Sequence, residues 1–140
     1  MYQQIGKAYR SRAEENTPRI TVVSRMFEIA VEALDKAEAA AREGRIEDRH
    51  VAASRVNSIL VVLRQHLDFD QGGEIAANLD RLYAFCMTQL VAFETRNDPE
   101  IAARVRELLL PLCEAWRQLA EEAVPDADEA LPAPRSAISV

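Results

Sequence analysis

Ile20-Thr21-Val22-Val23-Ser24-Arg25-Met26-Phe27-Glu28-Ile29-Ala30-Val31-Glu32-Ala33-Leu34-Asp35-Lys36-Ala37-Glu38-Ala39-Ala40-Ala41 decides the fold class. Its apolar residues Ile20, Val23, Phe27, Ala30, Leu34, Ala37 and Ala41 recur in steps of three and four. That is the spacing of one helix face, not the alternation of a strand. Thr17 is placed to cap such a helix with Pro18 in its first turn, and Gly44 to close its far end.

The pattern recurs outward along the chain. Pro18, Gly44, Gly72-Gly73, Pro99 and Pro125 divide the sequence into segments 18–43, 46–67, 73–96 and 99–123. Each is about 37 Å long as a helix. The second carries Ala52, Val56, Ile59 and Leu63, with Leu60 and Leu67 nearby. The third reads Ile75, Leu79, Leu82, Cys86, Leu90 and Phe93. The fourth opens with Asp98-Pro99-Glu100, a cap and first-turn signal, and continues Ile101, Val105, Leu108, Leu112, Trp116 and Leu119. Pro111 should kink this helix, because its ring crowds the turn below while the apolar spacing continues across it. Short connections make successive helices antiparallel neighbours. The expectation is an all-α, up-down-up-down four-helix bundle over 17–124. An N-terminal segment, 1–16, should dock on it, and 125–140, with Pro125, Pro132 and Pro134 and no periodicity, should be a disordered tail.

Composition agrees. The chain has 140 residues, 49% apolar and 29% charged, with four glycines. That is one ordinary domain, with too few turn formers and aromatics for an all-β fold. A net charge of −6 argues against a nucleic-acid partner. The longest apolar run, Ile59-Leu60-Val61-Val62-Leu63, is far short of a membrane span. Met1 to Arg12 holds no apolar signal core, so a cytoplasmic protein with reduced Cys86 and Cys113 is expected.

Chemistry is scarce. Glu47 and His50 form one E-x-x-H pair, whereas a di-metal bundle needs two such pairs and two further inward glutamates. His66 could accept phosphate as phosphotransfer bundles do, but it adjoins Asp68 and Asp70 and has no lysine close by in sequence. Cys86 lies in register with buried-type residues, and Cys113 has no His or Lys near it in sequence to lower its pKa. Gly72-Gly73 could cradle an anion, but Asp68, Asp70 and Glu74 surround it. Neither an enzyme nor a cofactor is indicated.

Apolar surplus is the informative feature. Segment 73–96 holds 14 apolar residues among 24, where one buried stripe would use about 10. Ala76, Tyr83 and Met87 form a second stripe, Leu60, Val62 and Leu67 enlarge the seam of 46–67, and Leu108-Leu109-Leu110 must point three ways. Such a surplus suits an outer groove for a partner's amphipathic helix, on the side of the second to fourth helices. In the polar stretch Met1 to Asn16, Ile5 and Tyr9 are isolated apolar residues spaced for one docked turn.

The stretch Leu67-Asp68-Phe69-Asp70-Gln71-Gly72-Gly73-Glu74-Ile75-Ala76-Ala77-Asn78-Leu79-Asp80-Arg81-Leu82-Tyr83-Ala84-Phe85-Cys86-Met87 closely resembles the motif D-x-x-x-G-G-E-I-A-x-N-L-x-x-L-Y-x-Y-M of the flagellar export chaperone family FliS. Phe85 replaces its second tyrosine. The family's N-terminal I-K-A-Y is echoed by Ile5-Gly6-Lys7-Ala8-Tyr9, its N-D loop by Asn97-Asp98 and its L-x-x-x-W by Leu112 to Trp116. The family's L-Y/F-D-G-A is here Met26-Phe27-Glu28-Ile29-Ala30, without the Asp-Gly.

This resemblance implies a cytoplasmic flagellar export chaperone without cofactor. It would bind the C-terminal segment of flagellin, prevent premature polymerisation and keep the subunit export-competent. The candidate flagellin-binding residues are Leu60, Leu67, Tyr83 and Met87 from the second stripes, with Leu79, and Ile5 and Tyr9, whose family counterparts lie where the flagellin contact begins. A flagellar export gate and a regulatory co-chaperone are further implied partners, and monomer and homodimer both stay open. The alternatives are a bundle adaptor for another secretion or regulatory partner, and a phosphotransfer domain on His66.

Overall fold

The structure, a computed structural model, describes the backbone of residues 2–123 and the side chains from Pro18 to Ala123. Four helices follow one another: α1 (Tyr2–Arg42), α2 (Ile46–Gln65), α3 (Phe69–Arg96) and α4 (Pro99–Ala123). No strand occurs among the described residues. Links of two or three residues force each helix to run back along the one before it. α1 packs most closely on α4 and α2, and α3 lies less closely against α2 and α4. The result is an up-down-up-down bundle in which α1 and α3 are diagonal partners.

Two expected boundaries hold. Gly44 takes φ +71°, a left-handed conformation that ends α1. The Asp98 carboxylate accepts the Glu100 N–H at 3.0 Å and caps α4. α4 then runs through Pro111 without ending. The expected start at Thr17-Pro18 is corrected: α1 continues back to Tyr2 and encloses Pro18. Proline removes one i→i−4 hydrogen bond, but the preceding Lys7, Ala8, Arg10, Arg12, Ala13, Glu14 and Glu15 all favour a helix. The side chains of Ile5 and Tyr9 and the tail 125–140 lie outside the described residues.

Side-chain size divides the core in two. At the end holding the α1–α2 and α3–α4 turns, Ala37, Ala41, Ala52, Ala53 and Ala102 surround Phe93 and Ile101. Alanines there let helices approach closely, and one phenylalanine fills the remaining space. The larger cluster spreads from mid-bundle through Phe27, Leu34, Val56, Leu60, Leu63, Tyr83, Cys86, Leu90, Val105 and Leu109.

Asn97 locks the turn end. It adopts φ +50° and ends α3 as a left-handed cap. Its Oδ1 accepts from Arg49 Nη1 of α2 at 2.7 Å, and its Nδ2 donates to the Ala41 carbonyl of α1 at 3.4 Å. Asparagine tolerates this backbone and also offers both a donor and an acceptor, which explains it at this position. Replacing Asn97 by Ala strains the cap and leaves Arg49, itself buried, without its partner. A loss of about 2–4 kcal/mol is expected in denaturant unfolding. Asn97→Gly, which keeps the backbone relaxed, should cost less.

Candidate functional site

The start of α3 organises the surface that this helix presents. Asp68 Oδ1 accepts the Gln71 N–H at 3.0 Å and caps a first turn. Gly73 then takes φ +50° and ψ −121°, kinking the helix. A Cβ at Gly72 would lie 2.9 Å from the Ala76 Cβ, so the turn closes only around glycine there. This pair sets the rotation of the rest of α3, and with it which apolar stripe faces inward.

That rotation corrects the expected register. Ala76, Tyr83, Cys86, Leu90 and Phe93 are buried, whereas Ile75 is 70% exposed and Leu79 and Leu82 are half-buried. The stripe read as surplus is therefore core at Ala76 and Tyr83, and the stripe read as core reaches the surface at Ile75. In α4 the inward line is Ile101, Val105, Leu109 and Cys113, while Leu108 and Leu119 are exposed and Leu112 half-buried. Both stripes satisfy a helical period; the kink and the close packing of α4 on α1 choose between them.

Of the seven candidate residues, Leu60 and Tyr83 are 0% and 2% exposed. Both are bundle core, and Tyr83 packs on Phe27 with ring centroids 6.4 Å apart. Their expected place on an outer groove is corrected. Leu67, Leu79 and Met87 are partly buried and pack against the larger core cluster with an edge showing. Met87 lies on the α2 side of α3, beside Arg64 of α2 at 3.9 Å, and near Val91.

Two ion pairs orient the helices. Asp80 of α3 accepts from Arg64 Nε of α2 at 2.8 Å, and Arg106 Nε of α4 lies 2.8 Å from Asp35 of α1. The Arg64 hydrogen bond holds the Asp80 carboxyl below its ordinary value. At 100° per residue, Ile75 and Leu82 lie on the other flank of α3 from Asp80, toward α4, with Leu79 between them and the buried line. Leu108, Leu112 and Leu119 likewise lie away from Arg106, facing α3. Antiparallel pairing from the Asn97 turn sets Leu82 level with Leu112 and Ile75 level with Leu119. By this register Ile75, Leu82, Leu108, Leu112 and Leu119 line the α3–α4 seam as a strip over about 16 Å, or three helical turns, with Leu79 at its inner edge.

Potential reactive groups are otherwise engaged. Burial pushes the Cys86 thiol from 9.0 to about 11 and the Tyr83 hydroxyl to about 12, so both stay protonated at neutral pH. Cys86 is 0% exposed. It should resist thiol reagents in the native protein and react at the global unfolding rate, which timed labelling with and without denaturant measures. His50 Nδ1 lies 2.7 Å from Glu94 of α3 rather than pairing with Glu47, and His66 Nδ1 lies 2.9 Å from the Val62 carbonyl. Among the described residues, no group of three His, Cys, Asp or Glu is placed to hold a metal ion, and no helix is long and apolar enough to cross a membrane.

The family described as Flagellar protein FliS matches residues 1–123. The chain belongs to the FliS family. Among its relatives, a protein named flagellar secretion chaperone FliS from Vibrio cholerae is 32% identical over 101 residues, covering 72% of this chain and 74% of the relative. Flagellar secretion chaperone FliSB of Pseudomonas aeruginosa is 30% identical over 115 residues, 82% of this chain and 89% of its own. Flagellar secretion chaperone FliS of Salmonella typhimurium is 33% identical over 103 residues, 73% and 76% of the two chains. FliS membership makes this a chaperone of flagellar secretion, with a flagellar export substrate as partner. It also gives the G-G-E-I-A-x-N-L motif two physical parts. The glycines kink α3, and Ile75 and Leu79 edge the strip that the kink exposes. Sequence reasoning missed Ile75 as a surface residue, and Leu108, Leu112 and Leu119 as the line of α4 turned toward α3. The row Leu108-Leu109-Leu110 was the available signal, since three adjacent leucines cannot all face one core.

Proposed function

We propose that this FliS-family chain binds the C-terminal segment of flagellin in the cytoplasm, prevents its premature polymerisation and keeps it export-competent, without catalysing a reaction. What supports the reading is membership of the family together with exposed Ile75, Leu108 and Leu119, which the helix register aligns along the α3–α4 seam. Amphipathic client helices fit such a strip by laying their apolar faces into it. A client that orders only on binding spends part of its interaction energy on ordering, so a long wrapped contact is needed. Leu79 lies at the inner edge of this strip, Leu67 and Met87 lie on the adjoining α2–α3 surface outside the main contact, and Ile5 and Tyr9 extend the contact from the N-terminal end.

Calorimetric titration against the last ~40 residues of flagellin, enough helix to span the bundle, tests the reading directly. Binding to that segment, and none to flagellin lacking it, is expected. Equal binding of the truncated flagellin would refute it and favour an adaptor for a different export partner. Double substitution Ile5→Ala, Tyr9→Ala should lower client affinity while changing unfolding stability by under ~1 kcal/mol. Unchanged affinity with a large loss of stability would make that segment a cap on the bundle instead.

A further inference from the structure

On the face opposite the α3–α4 strip, α1 and α2 border a second groove of different chemistry. It encloses about 590 Å³ between Arg25, Ile29, Glu32, Ala33, Lys36 and Ala39 of α1 and Asp48, Val51, Ala52 and Arg55 of α2, with Arg45 at one end. Ala33 and Ala52 make a buried floor, Ile29 is half-buried, and Val51 is 59% exposed. The rim is charged, and four of its six ionisable side chains are basic: Arg25, Lys36, Arg45 and Arg55 against Glu32 and Asp48. Arg45 is held by Glu43 and Asp48, and Arg25 by Glu28. Lys36 and Arg55 are exposed and form no ion pair among the described residues. With Glu28 and Glu43 counted, acids and bases balance around this groove, and Lys36 and Arg55 are the two cations of its rim left without an ion pair among the described residues.

We infer that the α1–α2 groove docks an acidic amphipathic helix of a second protein, at the same time as the α3–α4 strip holds the export client. Length, floor and charge each support that occupant. From Arg25 to Ala39 the groove runs about 21 Å, four helical turns. Alanines in the floor let a partner helix approach, and Ile29 and Val51 offer it apolar contact. Glutamates flanking the partner's apolar stripe would meet Lys36 and Arg55. The chain's net charge of −6 makes long-range attraction for such a helix weak, so the local pairing with Lys36 and Arg55 sets where it docks. Because α1 and α3 are diagonal in the bundle, the two sites do not overlap.

The test uses the full chain and a labelled synthetic peptide of about four helical turns, with a leucine–alanine stripe flanked by glutamate. A second peptide carries lysine in place of each glutamate. Fluorescence anisotropy should show the acidic peptide binding and the basic one not. Raising salt from about 0.05 to about 0.3 M should weaken binding several-fold. The variant Lys36→Glu, Arg55→Glu should lose about tenfold or more in affinity while still binding the flagellin segment. Both positions are exposed, and circular dichroism checks the fold; Lys36→Gln, Arg55→Gln serves if the reversal unfolds the chain. Equal binding of both peptides, or an unaffected double variant, overturns the inference. So does displacement of the peptide by the flagellin segment, which would put the peptide in the client strip. Binding that appears only after deletion of 125–140 would make the chain's own tail the occupant. Self-association that Lys36→Glu, Arg55→Glu abolishes would make it a second copy. Failure of the flagellin segment to bind would count against the proposed function and leave this groove untouched.

Discussion

Ile75→Glu with Leu119→Glu should reduce affinity for the flagellin C-terminal segment by about 100-fold, from two truncated hot-spot contacts of about 2 kcal/mol each combined less than additively. Ile75 is 70% and Leu119 44% exposed, so carboxylates there stay solvated in the free protein and the bundle keeps its fold. The cost appears only when a client covers them, because a desolvated carboxylate without a partner is expensive. Val91→Glu is the matched control. It lies 66% exposed on the α2 side of α3, beside Met87. Its affinity should stay within about threefold of the parent, as for a residue outside the contact. The reverse pattern, with Val91→Glu damaging and the double variant neutral, would move the client to the α2–α3 surface that Met87 marks. Titration calorimetry on the three proteins, each checked by circular dichroism, separates the two surfaces.

Helix number and order were readable because they depend on local signals. Steps of three and four in α1, the left-handed Gly44 and the Asp98 cap each act within a few residues. Pro18 was misread because a proline permits two outcomes, a first turn or an interior position. Only the residues before it decide, and they favour helix.

The site was half legible for a different reason. A helix with 14 apolar residues among 24 carries more than one acceptable inward face. Choosing between Ile75 and Ala76, or Leu108 and Leu109, needs the rotation of each helix about its axis. That rotation goes with tertiary features, chiefly the Gly73 kink and the close packing of α4 on α1, with the half-exposed Arg64–Asp80 and Arg106–Asp35 pairs on the flanks. The surplus could be counted from the sequence, but its direction could not. Arg49 was invisible for the same reason, since its partner Asn97 is 48 residues away.

Phe27→Ala should cost about 3–5 kcal/mol, the range for removing a fully buried phenylalanine, and is the largest single loss expected in this chain. Phe27 is 0% exposed at the centre of the larger cluster. It touches two other helices through rings: Tyr83 of α3 at 6.4 Å, and Trp116 of α4, nearly parallel, at 6.5 Å. Truncation therefore removes apolar transfer energy, opens a cavity and takes a neighbour from two aromatics at once. Collapse of the cavity is opposed on each side. Leu34 and Leu60 are themselves fully buried. A typical domain has only about 5–15 kcal/mol in total, so the variant should sit near the edge of folding. Guanidinium titration should show the midpoint falling with the slope preserved. A loss under about 1 kcal/mol, the average for any substitution, would mean that Phe27 is not the residue joining α1, α3 and α4. The same loss should appear as weaker client binding only through the fraction unfolded, since Phe27 lies beneath the α3–α4 strip and not in it. Affinity corrected for folded protein should match the parent, which separates a core residue from a contact residue in one pair of measurements.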